Sequence, residues 1–296
     1  MNESEFPGSA PPNDLSAEDL RLRPGAAGTV AVTPQQVGWR YLSFRRHGLK
    51  ADEKVRVGGE AEETAIVTLA GSLAVELDAA GNLDIPGRRS VWDGLPWTVY
   101  LPPGALGFAR AVGPATIAVA SAPSSGRQQV SADPVIVGPE QVRIEIRGSG
   151  NATRQVNHII SPEFPADRLQ LVEVYTPAGN WSSWPPHKHD TDAMPGEAVL
   201  EEIYSYAFRR PEAWGIQRLY RRDGSRDELW AVRDGELVLV TDGYHPFVAT
   251  HGEDAYYLNA LAGDRRTMAC SFDPDLEAVR ETWATTEPDP RVPLVR

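Results

Sequence analysis

From Tyr41 onward the chain alternates short apolar, β-branched runs with turn signals, a pattern of half-buried strands rather than helices. AIVTLAGSLAVEL over 65–77 predicts two strands broken at Ala70-Gly71. WTVYLPPGALGFARAV over 97–112 predicts a strand, a Pro-Pro-Gly turn and a second strand, and ATIAVASA over 115–122 predicts another. Further along, LQLVEVYTP (169–177), LEEIYSYAF (200–208), WGIQRLYR (214–221) and DAYYLNALAG (254–263) read as strands. The segment 227–249 predicts a hairpin turning at Asp234-Gly235, a favoured pair for a tight turn. Only DPDLEAVRETW over 273–283, with its acidic start, predicts a helix.

The strands fall into two groups. APSSGRQQVSADP, residues 122–134, has linker composition, and a faint repeat relates what lies on either side of it. LAGSLAVEL resembles VRDGELVLV, and LPPGALGFA resembles VTDGYHPFVA, setting Gly107 or Phe108 near His245. The expected fold class is therefore all-β, with two tandem barrels or sandwiches: an N-terminal one over 21–125 and a C-terminal one over 126–296 that ends in the short helix. Residues 1–20, polar and proline-rich, predict a loose N-terminus.

Composition narrows the function. A formal net charge of -12 argues against nucleic acid, whose binding needs a basic footprint. It also requires any anionic substrate to be met by a local cluster of cations. No window of apolar residues is long enough to span a membrane, and MNESEFPGSA has no basic and apolar leader. Cys270 is the sole cysteine, so an internal disulfide is excluded and a cytoplasmic location is expected, with the N-x-S/T matches at Asn151 and Asn180 falling by chance. A monomer and a homo-oligomer are both compatible with this reading.

The candidate chemistry begins at GNWSSWPPHKHD, residues 179–190, which holds two of the six histidines one residue apart. On a strand, side chains at i and i+2 share a face, so His187 and His189 aim together while Lys188 aims away. Ligands to a first-row metal must converge at roughly 2.0–2.2 Å from a rigid support, so further ligands would come from neighbouring strands. Glu201 and Glu202 open one such strand, and alternation lets only one of them face inward. His245 follows the turn DGYHP. GSGNATR lacks the Gly-Lys-Ser/Thr ending of a phosphate loop. His47, His158 and His251 lie outside the pattern and are expected to be structural or solvent-exposed.

An HxH pair, a glutamate and a distant histidine after a glycine turn follow one another as in cupins. RGSGNATRQV, VEVYTPAGNWSSWPPHKHD, LEEIYSY, VRDGELVLVTDGYHPFVA and YYLNALAG come in the order seen in the bacterial 5-deoxy-glucuronate isomerases of myo-inositol catabolism. SVWDGLPWTVYLPPG and the SAP at Ser121 agree as well, so the chain resembles that family over residues 38–272. The family is a bicupin similar to the 4-deoxy-hexosulose-uronate isomerases of pectin breakdown. The resemblance implies one divalent metal ion (zinc, manganese, iron or nickel) on His187, His189, Glu202 and His245, in the C-terminal barrel only. Glu202 is preferred to Glu201 because Glu202 with Tyr204 reproduces a Glu-x-Tyr of the pectin-pathway relatives. Two departures stand out: Thr241 replaces a usual proline, and YSYAF follows Glu202 where a second bulky polar ring is more usual.

The implied reaction isomerises an aldehydic uronic acid, a small-molecule substrate, to a ketose through an enediolate. Tyr204, a metal-bound water or Glu201 are candidates for the general base. Arg154 and Arg218, with Lys188 as a weaker choice, are candidates for the substrate carboxylate, and Trp181 and Trp184 for the pocket wall. Two rivals share the ligand pattern: a cupin dioxygenase and a non-catalytic sugar-binding cupin.

Overall fold

The computed structural model describes residues 15–79, 81–126 and 130–296. Two β-rich halves are built from antiparallel strands, as the alternation predicts. In the C-terminal half one sheet runs Leu237–Val240, Glu201–Phe208, Ala255–Ala262, Leu169–Thr176, Arg154–Ile160, Arg143–Arg147. A smaller sheet of Trp181–Ser182, Phe247–Ala249, Trp214–Tyr220 and Asp227–Arg233 packs against it, with Tyr206 and Phe247 in contact at 5.4 Å between ring centroids. The N-terminal half is organised around one long strand, Glu62–Leu77, which pairs with Thr98–Leu101 and Ala115–Pro123 at one end and with Gly81–Arg88 and Leu106–Ala111 at the other.

Strands 169–176, 201–208 and 255–262 are buried at every position, because both their faces are covered. One face looks into the C-terminal half; the other meets the N-terminal half in a shared core where Val67, Tyr100 and Ala120 join Ile203, Val172 and Ala260. Arg88 crosses this junction to a fully buried ion pair with Glu173, which also accepts the Tyr256 hydroxyl at 2.8 Å. The halves also exchange strands. Arg21–Leu22 extends the C-terminal sheet on Leu237–Val240, and Val135–Val137 extends the N-terminal sheet on Thr98–Leu101. Each half therefore lends its opening strand to the other, across the junction expected at 125/126.

Several local expectations are corrected. The break at Ala70-Gly71 is a bend within a single strand: Gly71 has φ 84, the register slips beside it, and a Cβ there would lie 2.8 Å from Ala115. The Asp234-Gly235 turn is real, with φ 80 at Gly235, but it does not close a hairpin. Its arms enter different sheets, 227–233 pairing with 214–220 and 237–240 with 201–208. The helix expected over 273–283 is a 3-10 helix, Glu277–Ala284, with no buried residue and no side-chain cap at Leu276, so nothing anchors an α-helical face. Of the loose N-terminus, residues 1–14 lie outside the described residues, while Ala17–Leu20 is a short helix capped by the Ser16 hydroxyl. No helix among the described residues is long and apolar enough to cross a membrane.

Candidate metal centre and its cavity

Strand alternation decides between the two glutamates. On 201–208, Glu202, Tyr204 and Tyr206 share the inward face, the two tyrosine rings stacked at 6.0 Å. Glu201 points the opposite way, toward the N-terminal half, where its carboxylate accepts the amides of Arg40, Tyr41 and Leu42. It does not reach the histidines.

Glu202, His189 and His245 bring one ligand atom each within 4.8 Å of one another, and all three are buried. His189 Nε2 is 2.8 Å and His245 Nε2 3.3 Å from the same Glu202 oxygen, Oε2. The far sides of both rings are committed. His189 Nδ1 meets the Leu200 carbonyl at 2.9 Å and His245 Nδ1 meets the Gly243 carbonyl at 3.0 Å. A carbonyl only accepts, so each Nδ1 carries a proton and each Nε2 is turned toward Glu202, where it can ligate a cation when unprotonated. Two imidazole Nε2 atoms and a carboxylate oxygen thus converge, and His245 Nε2 is buried without a hydrogen-bond partner among the described residues. A proton on Nε2 or a metal cation can bridge such a cluster, and the backbone carbonyls behind the rings are the usual supports of ligating imidazoles. The donor set fits a divalent cation.

His187 sits beside this trio, its ring 4.7 Å from that of His245 and 6.3 Å from that of His189. It lies on a two-residue strand, His187–Lys188, paired with Ser271–Phe272. Burial, then the neighbouring imidazoles of His245 and His189, push its pKa well below the ordinary range and keep it neutral. Burial opposes charge on His189 and Glu202 as well, but their mutual contact outweighs it, raising His189 and drawing Glu202 down to about 2.

His189 and Glu202 of the trio line a cavity of about 500 Å³ whose wall also includes His187, Arg154, Arg147, Glu145 and Arg280, while His245 is fully buried and not part of that wall. The turn at 148–153 sets Arg147 directly opposite Arg154 on adjacent strands. Gly148 is required there: φ is 80 and a Cβ would fall 2.2 Å from the Ala152 carbonyl. Arg147 is held by Glu145 in a two-pronged pair at 2.8 and 2.9 Å. Arg154 donates only to the carbonyls of Ala152 and Trp184, at 3.1 and 3.2 Å, and has no ion pair among the described residues. Burial and the nearby Arg147 lower its pKa to about 10, which leaves it a cation near neutrality. A protein of net charge -12 therefore exposes a cationic wall at this cavity.

The remaining candidates lie elsewhere. Arg218 is half-exposed and held by Asp227 at 2.7 and 2.8 Å, away from the cavity wall. Lys188 faces away, as alternation requires, onto Asp190 and Glu197. Trp184 packs against Trp181 with the rings tilted at 52° and centroids 4.7 Å apart, and its carbonyl, rather than its ring, holds Arg154. Tyr204 is buried beside His245 with its hydroxyl on Ser183 Oγ at 2.8 Å; burial and then the Glu202 charge hold its pKa well above the ordinary range. His158, expected to be structural, meets the cavity-wall Glu145 at 2.7 Å. Arg147, Glu145, Arg280 and Trp283 were not singled out from the sequence. Arg147 opens RGSGNATRQV, a stretch that carries the family resemblance. Arg280 and Trp283 arrive on the C-terminal 3-10 helix, whose following chain is pinned back by Gln155 on the amides of Leu294 and Val295.

Comparison with known proteins places this geometry. Residues 18–279 match the KduI/IolB family. A 5-deoxy-glucuronate isomerase of Geobacillus kaustophilus is 38% identical over 254 residues, 86% of this chain and 91% of that one. One of Bacillus subtilis strain 168 is 33% identical, covering 84% and 92%. The crystal structure of an IolB-like protein from Salmonella typhimurium superposes with a TM-score of 0.80 at 35% identity, covering 84% and 94%. An oxalate decarboxylase of Lactobacillus farciminis shares the fold at a TM-score of 0.60 and 10% identity, covering 88% and 90%.

Proposed function

The chain belongs to the KduI/IolB family, and on that premise we propose that it is a 5-deoxy-glucuronate isomerase, converting 5-deoxy-D-glucuronate to 5-dehydro-2-deoxy-D-gluconate. The observation that carries the reading is the coincidence of two features in one cavity: converging His and Glu donors, and an arginine, Arg154, without a counterion among the described residues. We assign the ligands as His189, Glu202 and His245, completed by His187, and the reaction to the breakdown of myo-inositol in the cytoplasm.

The isomerisation is internally balanced. The C1 aldehyde becomes a primary alcohol and the C2 carbinol a ketone: one proton moves from C2 to C1, a second from O2 to O1, and no external oxidant is consumed. A divalent ion held by these residues would supply charge stabilisation for the developing enediolate oxygens. The chain's own residues do the rest. Arg154 receives the substrate carboxylate in its planar fork, and the Trp184 and Ala152 carbonyls hold that fork in place. The Leu200 and Gly243 carbonyls fix the His189 and His245 rings, so the donor set is organised before substrate enters. Tyr204 retains its proton, so it supports Ser183 as a hydrogen-bonding partner and is not a base at neutral pH.

Incubation of the protein with 5-deoxy-D-glucuronate in D₂O, followed by NMR, tests this directly. The expected result is a ketone product formed equally well without oxygen. Oxygen consumption coupled to substrate loss would favour the dioxygenase reading, and tight binding without turnover the sugar-binding one.

A further inference from the structure

We propose that Glu201 is a positioning residue for the metal centre, through which the half without a site holds a ligand of the half that has one. The inference rests on the metal reading above. Glu201 is buried and opens strand 201–208, where it stands opposite Ala262. Its Oε1 accepts the Arg40 amide at 2.6 Å, and its Oε2 accepts those of Tyr41 at 2.9 Å and Leu42 at 2.8 Å. Those three amides belong to the N-terminal half and lead into its strand Ser43–Leu49. Both carboxylate oxygens are thus tied to rigid backbone of the opposite half. The peptide that follows carries Glu202.

The same device is present in reverse. Glu63, in the N-terminal half, accepts the amides of Asp167, Arg168 and Leu169 at 2.7, 2.6 and 2.7 Å, together with the Tyr100 hydroxyl at 2.6 Å. The registers match: Glu63 stands opposite Ala122 as Glu201 does Ala262, and Thr64 opposite Leu101 as Glu202 does Val240. The two locks are stitched together where they meet. Arg168 lies over the Tyr41 ring at 4.2 Å, and Asp264 takes both the Arg168 guanidinium at 2.6 Å and the Tyr41 hydroxyl at 2.8 Å. What differs is the next residue. After Glu63 comes Thr64, whose hydroxyl meets Ser121 at 2.9 Å; after Glu201 comes Glu202. The molecule therefore contains its own control, one lock beside a ligand and one beside none.

Glutamine is the informative substitution. In either amide orientation its NH₂ faces backbone N–H groups that the carboxylate satisfied, so at least one buried donor is left unpaired while the shape is kept. In full-length protein, Glu201→Gln and Glu63→Gln should each lower the Tm of the metal-free form by about 4 °C. The affinity for Mn²⁺, measured by EPR titration, should separate them. Glu201→Gln should raise the Kd about tenfold, the range seen when supports of metal ligands are lost, and Glu63→Gln less than about twofold. Glu201→Asp, which keeps the charge but withdraws it from the amides, should weaken Mn²⁺ in the same direction and serves if the glutamine variant does not fold. Mn²⁺ affinity within about twofold of the parent in Glu201 variants, or an equal loss in Glu63→Gln, would overturn the proposal. A parent protein that takes up none of Mn²⁺, Zn²⁺, Fe²⁺ and Ni²⁺ would instead overturn the metal reading itself.

Discussion

The two halves share a framework but fill their interiors differently. At equivalent positions of the leading strand, the N-terminal half carries Thr64, Ile66 and Thr68 where the C-terminal half carries Glu202, Tyr204 and Tyr206. Around Ile66 the N-terminal interior is filled with Val99, Leu101, Ile117, Val119 and Leu73, a close-packed apolar core. The C-terminal interior holds imidazoles, phenols and a carboxylate, each needing a partner. His245 and His189 rest on carbonyls, Tyr204 on Ser183, and Tyr206 on Gln217 at 2.6 Å. Burying such groups costs stability unless every one is satisfied. One half has an apolar filling and the other a polar interior, and reciprocal hydrogen-bond locks tie the two together.

This contrast breaks most sharply at the ligands. His189→Ala and His245→Ala should each reduce activity by at least about a hundredfold and lose bound metal, while the circular dichroism of the sheets stays at parent level. Retained metal in either variant would remove that residue from the site. Next in size is the junction. Arg88→Leu leaves Glu173 buried without its cation, which should cost about 3–5 kcal/mol and lower the Tm of the whole molecule in a single transition. Two separate calorimetric transitions in the parent would show that the halves are independent domains, against the shared core.

A smaller effect is expected at the cavity wall. Arg154→Lys should raise KM about tenfold with metal content unchanged, since an ammonium cannot make the paired hydrogen bonds of a guanidinium. An unchanged KM accompanied by a lower Tm would make Arg154 a loop anchor. The smallest effect belongs to Arg218→Ala: it removes an exposed pair with Asp227 and should leave KM within about twofold and stability within about 0.5 kcal/mol. A large rise in KM there would move the carboxylate site to the outer sheet.

These expectations mark what was legible along the chain. Most of the strands were, because alternation is a local property; alternation also turns Glu201 and Glu202 to opposite faces, but the preference for Glu202 rested on the family resemblance. Pairing was not local. The turn at Asp234-Gly235 has hairpin chemistry, yet only the tertiary structure assigns its arms to different sheets. The role of Glu201 was hidden for the same reason: its partners are backbone amides about 160 positions away, which no side-chain pattern encodes. Arg280 and Trp283 reach the cavity because the chain after residue 284 is tied back onto strand 154–160 through Gln155.

The asymmetry between the halves is tested most directly by the number of divalent ions bound per chain. Elemental analysis of the purified protein after saturation and removal of loosely held metal should return one equivalent per chain, falling to none when His245 is replaced by alanine. Two equivalents would place a second site in the apolar half, and none in the parent would dissolve the metal centre altogether.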